Sequence, residues 1–312
     1  MTQNHEPAGS SDVVPENQRT AALCALWEHV DRPVQQALLS QFEAESLLIH
    51  GYWNALVGNG NGNDWDGVAW AQPHVGGAAS LHGPIVRTKD HSLAKQLVVA
   101  AVSEARRSGV RIVQALRDLE STPQTQALLD AGFEHSTDLL YMFCDAARVS
   151  SLPPDTALSF DSWNVAEEVR LKKVIERTYV DSLDCPSVDG VRTVDEILAG
   201  YRATGGFDPS RWLIASRTDS DSGKKIDIGC LLLADHPATE QFELVYMGVV
   251  PEERGKRWGC EIVRQALWRT HVAERKRLVL AVDAANKPGV LMYASAGFHT
   301  FELKALYLRV LE

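Results

Sequence analysis

Apolar and polar positions alternate along this chain in two rhythms. Short apolar runs such as Val113-Gln114-Ala115, Leu139-Leu140-Tyr141-Met142-Phe143 and Leu278-Val279-Leu280 predict strands, and the spaced apolar positions of residues 92–108 and 256–275 predict amphipathic helices. In the second half the same reading gives helices over 165–179 and 194–202, strands over 212–215, 226–233 and 242–250, the long helix over 256–275, and a strand–helix–strand ending.

The pattern repeats. Val113 to Phe133, with Pro123 and Gly132, matches Leu278 to Phe298, with Pro288 and Gly297, at a constant offset of 165 positions. Proline suits the first helical turn and glycine the position just past a helix, so each copy reads as strand, loop, Pro-started helix, glycine stop and strand. A duplicated α/β unit follows, with its boundary in the turn-forming Val149-Ser150-Ser151-Leu152-Pro153-Pro154-Asp155. The expected domains are 19–150 and 151–312. Residues 1–18, rich in Pro, Ser, Asn and Glu and without a basic start or apolar stretch, are expected to be a disordered lead and not a signal peptide. The glycine- and asparagine-rich residues 58–67 fit neither a calcium loop nor a dinucleotide fingerprint and are read as a flexible hairpin loop.

Composition narrows the function classes. The chain is 312 residues long, 45% hydrophobic and 23% charged, which is the balance of a globular protein with a packed core. No uncharged apolar run approaches the ~18 residues of a membrane span, so no membrane partner and a cytoplasmic location are expected. A formal charge of −10 disfavours nucleic acid as a partner. Residues 1–150 hold 10 Lys/Arg and 17 Asp/Glu, whereas residues 151–312 hold 21 and 24, so any anionic ligand is expected in the second half. The five cysteines lie far apart, without the close pairs of a zinc site, and no metal is expected. There is no Gly-x-Ser-x-Gly elbow for a serine hydrolase.

Candidate chemistry gathers between Glu243 and Val263. A strand ends at Pro251, and a loop holding Gly255 and Gly259 opens the long helix, a geometry that aims backbone N–H groups and a helix dipole at one spot. Arg254, Lys256 and Arg257 crowd this terminus, where cations are unfavourable by roughly 0.3–1 kcal/mol each unless a bound anion compensates them.

The run Val249-Val250-Pro251-Glu252-Glu253-Arg254-Gly255-Lys256-Arg257-Trp258-Gly259 resembles the acyl-CoA signature of the GNAT superfamily, Val-x-Pro-x-x-Arg-Gly-x-Gly-x-Gly, with Arg257 at the middle glycine. Asn286 to Phe298 is similar to a second element of that family, Asn-x-x-Ala-x-x-x-Tyr-x-x-x-Gly-Phe, with Gly289 at the usual alanine. The resemblance implies an α/β (α+β) fold of two tandem GNAT-like domains, each a mixed, mostly antiparallel twisted sheet flanked by helices. It places Val249, Val250, Arg254, Gly255, Lys256, Arg257, Trp258, Gly259 and Asn286 against acetyl-CoA or another short acyl-CoA. It gives Tyr293 the role of acid for the leaving thiolate. Glu243, six residues before Val249 and expected to share a strand face with Val245 and Met247, takes the role of base. In the first copy Arg254, Gly255, Gly259 and Tyr293 map onto Lys89, Asp90, Ala94 and Leu128, which implies a degenerate domain. The implied activity is N-acetyl transfer from acetyl-CoA to a primary amine, a small molecule or a peptide N-terminus, with a catalytically weak acyl-CoA-binding regulatory or scaffold protein as the alternative. Loop acids Asp184 and Asp189 either attract a cationic acceptor or simply face water.

Overall fold

A computed structural model of the chain describes residues 11–28, 30–46, 51–61, 64–87, 90–120 and 122–311. These form two compact units, one made of the described residues up to 136 together with 305–311 and the other of residues 137–304.

The first unit runs through β1 (Asp12–Val13), α1 (Arg19–Leu26), α2 (Arg32–Ser46), β2 (Leu56–Asn61), β3 (Asp64–His74), β4 (Ala78–Val86), α3 (His91–Arg107), β5 (Ile112–Arg117) and α4 (Pro123–Asp130). The chain then enters β6 (Glu134–Asp145), most of which belongs to the second unit. The second unit continues with β7 (Leu158–Ser162), α5 (Glu168–Tyr179), α6 (Val194–Ala203), β8 (Trp212–Thr218), β9 (Lys225–His236), β10 (Gln241–Val249), α7 (Trp258–Val272), β11 (Arg277–Asp283), α8 (Lys287–Ser295) and β12 (His299–Val310).

Each sheet is mixed and mostly antiparallel. In the first unit β1, β2, β3 and β4 are antiparallel neighbours, β4 and β5 are parallel, and the end of β12 pairs antiparallel with β5, Ala305 opposite Arg117. In the second unit β7, β8, β9 and β10 are antiparallel neighbours, β10 and β11 are parallel, and β6 pairs antiparallel with β11, Asp145 opposite Arg277. The last strand of each sequence repeat therefore completes the sheet of the unit that holds the other repeat.

Side chains alternate across these strands, so both faces of the second sheet are filled. Phe242, Leu278 and Leu280 meet Ile262 and Val263 of α7 and Tyr293 of α8 on one face. Trp212, Ile214 and Leu232 meet Leu171 and Ile175 of α5 and Leu198 of α6 on the other. The first unit packs Trp70, Val113 and Leu128 around Leu97 and Val98 of α3.

Three expectations change. Residues 1–10 of the expected lead lie outside the described residues, but Asp12 and Val13 pair with Gly58 and Val57 of β2 and Val14 is buried. The free edge of β2 and an apolar pocket order this stretch, which composition does not reveal. The glycine-rich stretch is mainly strand, since β2 reaches Asn61 and β3 begins at Asp64. Strand β7, directly after the Pro-rich turn, is absent from the sequence reading because a five-residue edge strand of mixed polarity shows no clear period. Among the described residues no helix is long and apolar enough to cross a membrane.

Candidate active site

Strands β10 and β11 pair only at their beginnings, through Gln241, Phe242 and Glu243 opposite Arg277, Leu278 and Val279. Beyond Glu243 they part, and the space between them is a cleft of about 590 Å³ lined by β10 from Leu244 to Val249, by Ala281 and Val282 of β11, and by Met292 and Tyr293 of α8. The β-bulge between Leu244 and Tyr246 starts this divergence, since an extra residue bends the bulged strand.

The cleft ends at the loop before α7. Among the described residues, the backbone N–H groups of Gly255, Lys256 and Arg257 have no protein acceptor, and α7 begins without a side-chain cap. An anion placed there meets these donors and the positive end of the helix dipole. Arg254, Gly255, Arg257, Trp258 and Gly259 line the cleft with Val249, whereas Val250 is fully buried and Lys256 lies off the lining.

The three cations of the loop divide their labour. Arg254 spends its guanidinium on the carbonyls of Val249, Thr178, Val180 and Asp181, at 2.8–3.0 Å, tying the end of α5 to the loop. Lys256 pairs with Glu253 at 3.1 Å. Arg257 is exposed, and among the described residues its side chain has no hydrogen-bond or ion-pair partner. Glu253, buried beneath the loop, also receives Arg217 at 2.9 Å and the Trp258 indole N–H at 3.0 Å. These donors, Arg217 foremost, hold its pKa down to about 2.

Along the cleft wall, the Asn286 side chain caps α8 by accepting the Gly289 N–H at 3.1 Å. Tyr293 is buried, with its ring edge-on to Phe298, and burial followed by the charge of Asp184 raises its pKa well above the usual phenol value. Asp184 lines the same cleft and accepts the Asp283 N–H at 2.8 Å. Asp283 in turn accepts from the Thr137 hydroxyl and from the N–H groups of Ala285 and Cys185.

Glu243 is not brought to this cleft. Phe242 and Leu244 point into the core beneath α7, so Glu243 points to the opposite face, and the bulge at Val245 returns Met247 to the α7 face. Glu243 and Met247 therefore do not share a face as strict alternation predicts. The Glu243 carboxylate instead bonds His236 at 2.8 Å, and this bond raises the His236 pKa. Asp189 is an exposed acid outside the cleft lining.

No protein-family model and no curated protein matches the sequence. Solved structures do match the whole fold. A GCN5-related N-acetyltransferase from Sphaerobacter thermophilus aligns over 96% of this chain and 95% of its own, with a TM-score of 0.62 and 17% identity. A tandem GNAT protein from the clavulanic acid biosynthesis pathway aligns over 96% and 97%, with a TM-score of 0.53 and 15% identity. The fold is a tandem GNAT fold. A glucosamine N-acetyltransferase region of a fungal multi-domain β-N-acetylglucosaminidase also matches 97% of this chain at a TM-score of 0.64 and 15% identity; the chain spans 38% of that protein.

Two departures from the GNAT signature have local explanations. Arg257, at the middle glycine, adopts the left-handed conformation with φ of 65°, so the backbone keeps the shape a glycine would supply. Gly289, at the usual alanine, sits so close to its capping partner that a Cβ would lie 2.8 Å from the Asn286 amide nitrogen. Glu253 and Asp283 were not singled out by the sequence reading. Glu253 occupies a position where the motif allows any residue and Asp283 precedes the second motif, so only their hydrogen-bond donors reveal them.

Proposed function

We propose that the second unit transfers an acetyl group from acetyl-CoA to a primary amine, on a small molecule or a peptide N-terminus, by direct attack. The observation that carries this reading is the cleft itself: two parallel strands part, and the opening ends against unpaired N–H groups at an uncapped helix start. The pyrophosphate would rest on Gly255, Lys256 and Arg257, with Trp258 and Gly259 beside it. The pantetheine arm would lie between β10 and β11 past Asn286, and a backbone N–H near Val249 would polarise the thioester carbonyl.

The amine nitrogen attacks the carbonyl carbon, a C–N bond forms, and the C–S bond breaks as Tyr293 gives its proton to the sulfur. The nitrogen's surplus proton then restores the phenol. Burial keeps the Tyr293 phenol protonated, so its O–H is present to donate to the sulfur as the C–S bond breaks. Binding the two reactants side by side supplies most of the acceleration, and the phenol a smaller part.

The test is release of free CoA thiol across small amines, amino acids and peptide N-termini. Tyr293→Phe keeps the ring and its packing, so acetyl-CoA affinity and thermal midpoint should be retained while turnover falls by about 10²-fold. Full turnover in this variant would return Tyr293 to the core. Acetyl-CoA binding without thiol release for any amine would favour a regulatory or scaffold role.

A further inference from the structure

The acetyl-transfer reading leaves open which group prepares the acceptor, since a primary amine arrives mainly as an ammonium ion at neutral pH and must lose a proton before its nitrogen can attack. We infer that Asp184 is the acceptor carboxylate of this site: it binds the ammonium form of the substrate and removes the proton that frees the nitrogen. This inference rests on the acetyl-transfer reading above.

Three observations converge on Asp184. It lines the cleft together with Tyr293, whereas Glu243 lies outside and is bonded to His236. Its carboxyl is oriented, with one oxygen accepting the Asp283 N–H at 2.8 Å, and the Asn286 side chain acts on it electrostatically. It also has no counter-charge: among the described residues no Lys, Arg or His pairs with it, although most acids of this unit are paired. The groups facing it are Asp283 of β11, Cys185 of its own loop, Tyr293 of α8 and Tyr246 of β10, and none is a cation.

Asp184 is solvent-exposed at the cleft, where a substrate can reach it, and an ammonium ion arriving there meets the carboxylates of Asp184 and Asp283 with no cation between them. The neighbourhood also suits proton removal. Desolvation by the surrounding protein raises the Asp184 pKa and the charge of Asp283 raises it further, against the Asp283 N–H and the Asn286 amide, which lower it. A carboxylate with a raised pKa is a better base than an exposed aspartate. Asp184 and Tyr293 then divide the proton traffic: Asp184 takes one proton from the ammonium and later returns it to water, while Tyr293 lends one to the sulfur and recovers it from the new amide nitrogen.

The experiment compares the wild-type protein with Asp184→Asn, using whichever primary amine releases thiol most rapidly, from acid pH to above that amine's own pKa. Asparagine retains an oxygen for the Asp283 N–H, so acetyl-CoA affinity should be unchanged. At neutral pH turnover should fall by about 10²-fold, and the deficit should shrink towards none as the free amine becomes abundant in solution. In the wild type the base is lost as pH falls through the raised Asp184 pKa, so the variant should also lack that acid limb. A deficit equal at every pH, as a distorted loop would give, overturns the inference, and so does a variant with full rate and the wild-type profile. A wild-type protein that releases no thiol with any amine overturns the acetyl-transfer reading itself.

Discussion

Arg257 shows how one side chain alters a loop without altering its backbone. The position needs a left-handed conformation, which costs an L-residue roughly 1–2 kcal/mol relative to its preferred regions. Of the three loop cations it is the one whose charge no group among the described residues uses, so we expect it to grip phosphate. Arg257→Gly should therefore keep the fold and weaken acetyl-CoA binding. The dependence of binding on salt should become shallower, because one phosphate contact is lost. Calorimetry at several salt concentrations checks this, and tighter binding at all of them would show that the side chain obstructs the site. The motif spacing made Arg257, Asn286 and Tyr293 legible in the sequence. It placed Glu243 on the wrong face, because one bulged residue inverts every orientation before it relative to those after it.

At the scale of elements, the cleft depends on how closely α7 approaches α8. A Cβ added at Gly259 would lie 2.7 Å from the Met292 sulfur, and both residues line the cleft. Gly259→Ala should push Met292 into the cleft and weaken acetyl-CoA binding by about tenfold, whereas adding Met292→Ala should restore much of the affinity. The coupling is expected to exceed ~0.5 kcal/mol, the lower end for residues in contact. Additive effects in a double-mutant cycle read by calorimetry would mean that Gly259 is needed for its backbone and not for this approach. Pro288 and Gly297 mark the ends of α8 from sequence alone, but its packing distance depends on side chains far apart in the chain.

The two units of the whole molecule share a strand pattern and differ in the loop. Strands β4 and β5 pair only from Ala78 to Ser80, as β10 and β11 do over three positions, and a cleft of about 550 Å³ opens beyond them. At the start of α3, however, the Asp90 side chain accepts the N–H groups of Ser92 and Leu93. A carboxylate thus occupies the place a phosphate would need. Lys89, the counterpart of Arg254, lies outside the described residues. We expect one acetyl-CoA per chain, bound by the second unit. A calorimetric stoichiometry near two, or binding that survives loss of the Gly255–Gly259 loop donors, would overturn this expectation.

What the sequence determined by itself is local and periodic. Apolar spacing marked most helices and strands, Pro and Gly marked their ends, the constant offset of 165 exposed the duplication, and the glycine loop with its basic flank pointed to a candidate anion site. What only the tertiary structure decided depends on groups distant along the chain. The pairing of β6 with β11 and of β12 with β5 is a choice of strand partners, and similar repeats give no local signal for it. That Asp184 and not Glu243 lines the cleft is decided by the bulge, the parting strands and the Asp283 N–H, because a side chain's surroundings depend on contacts that its position in sequence does not record.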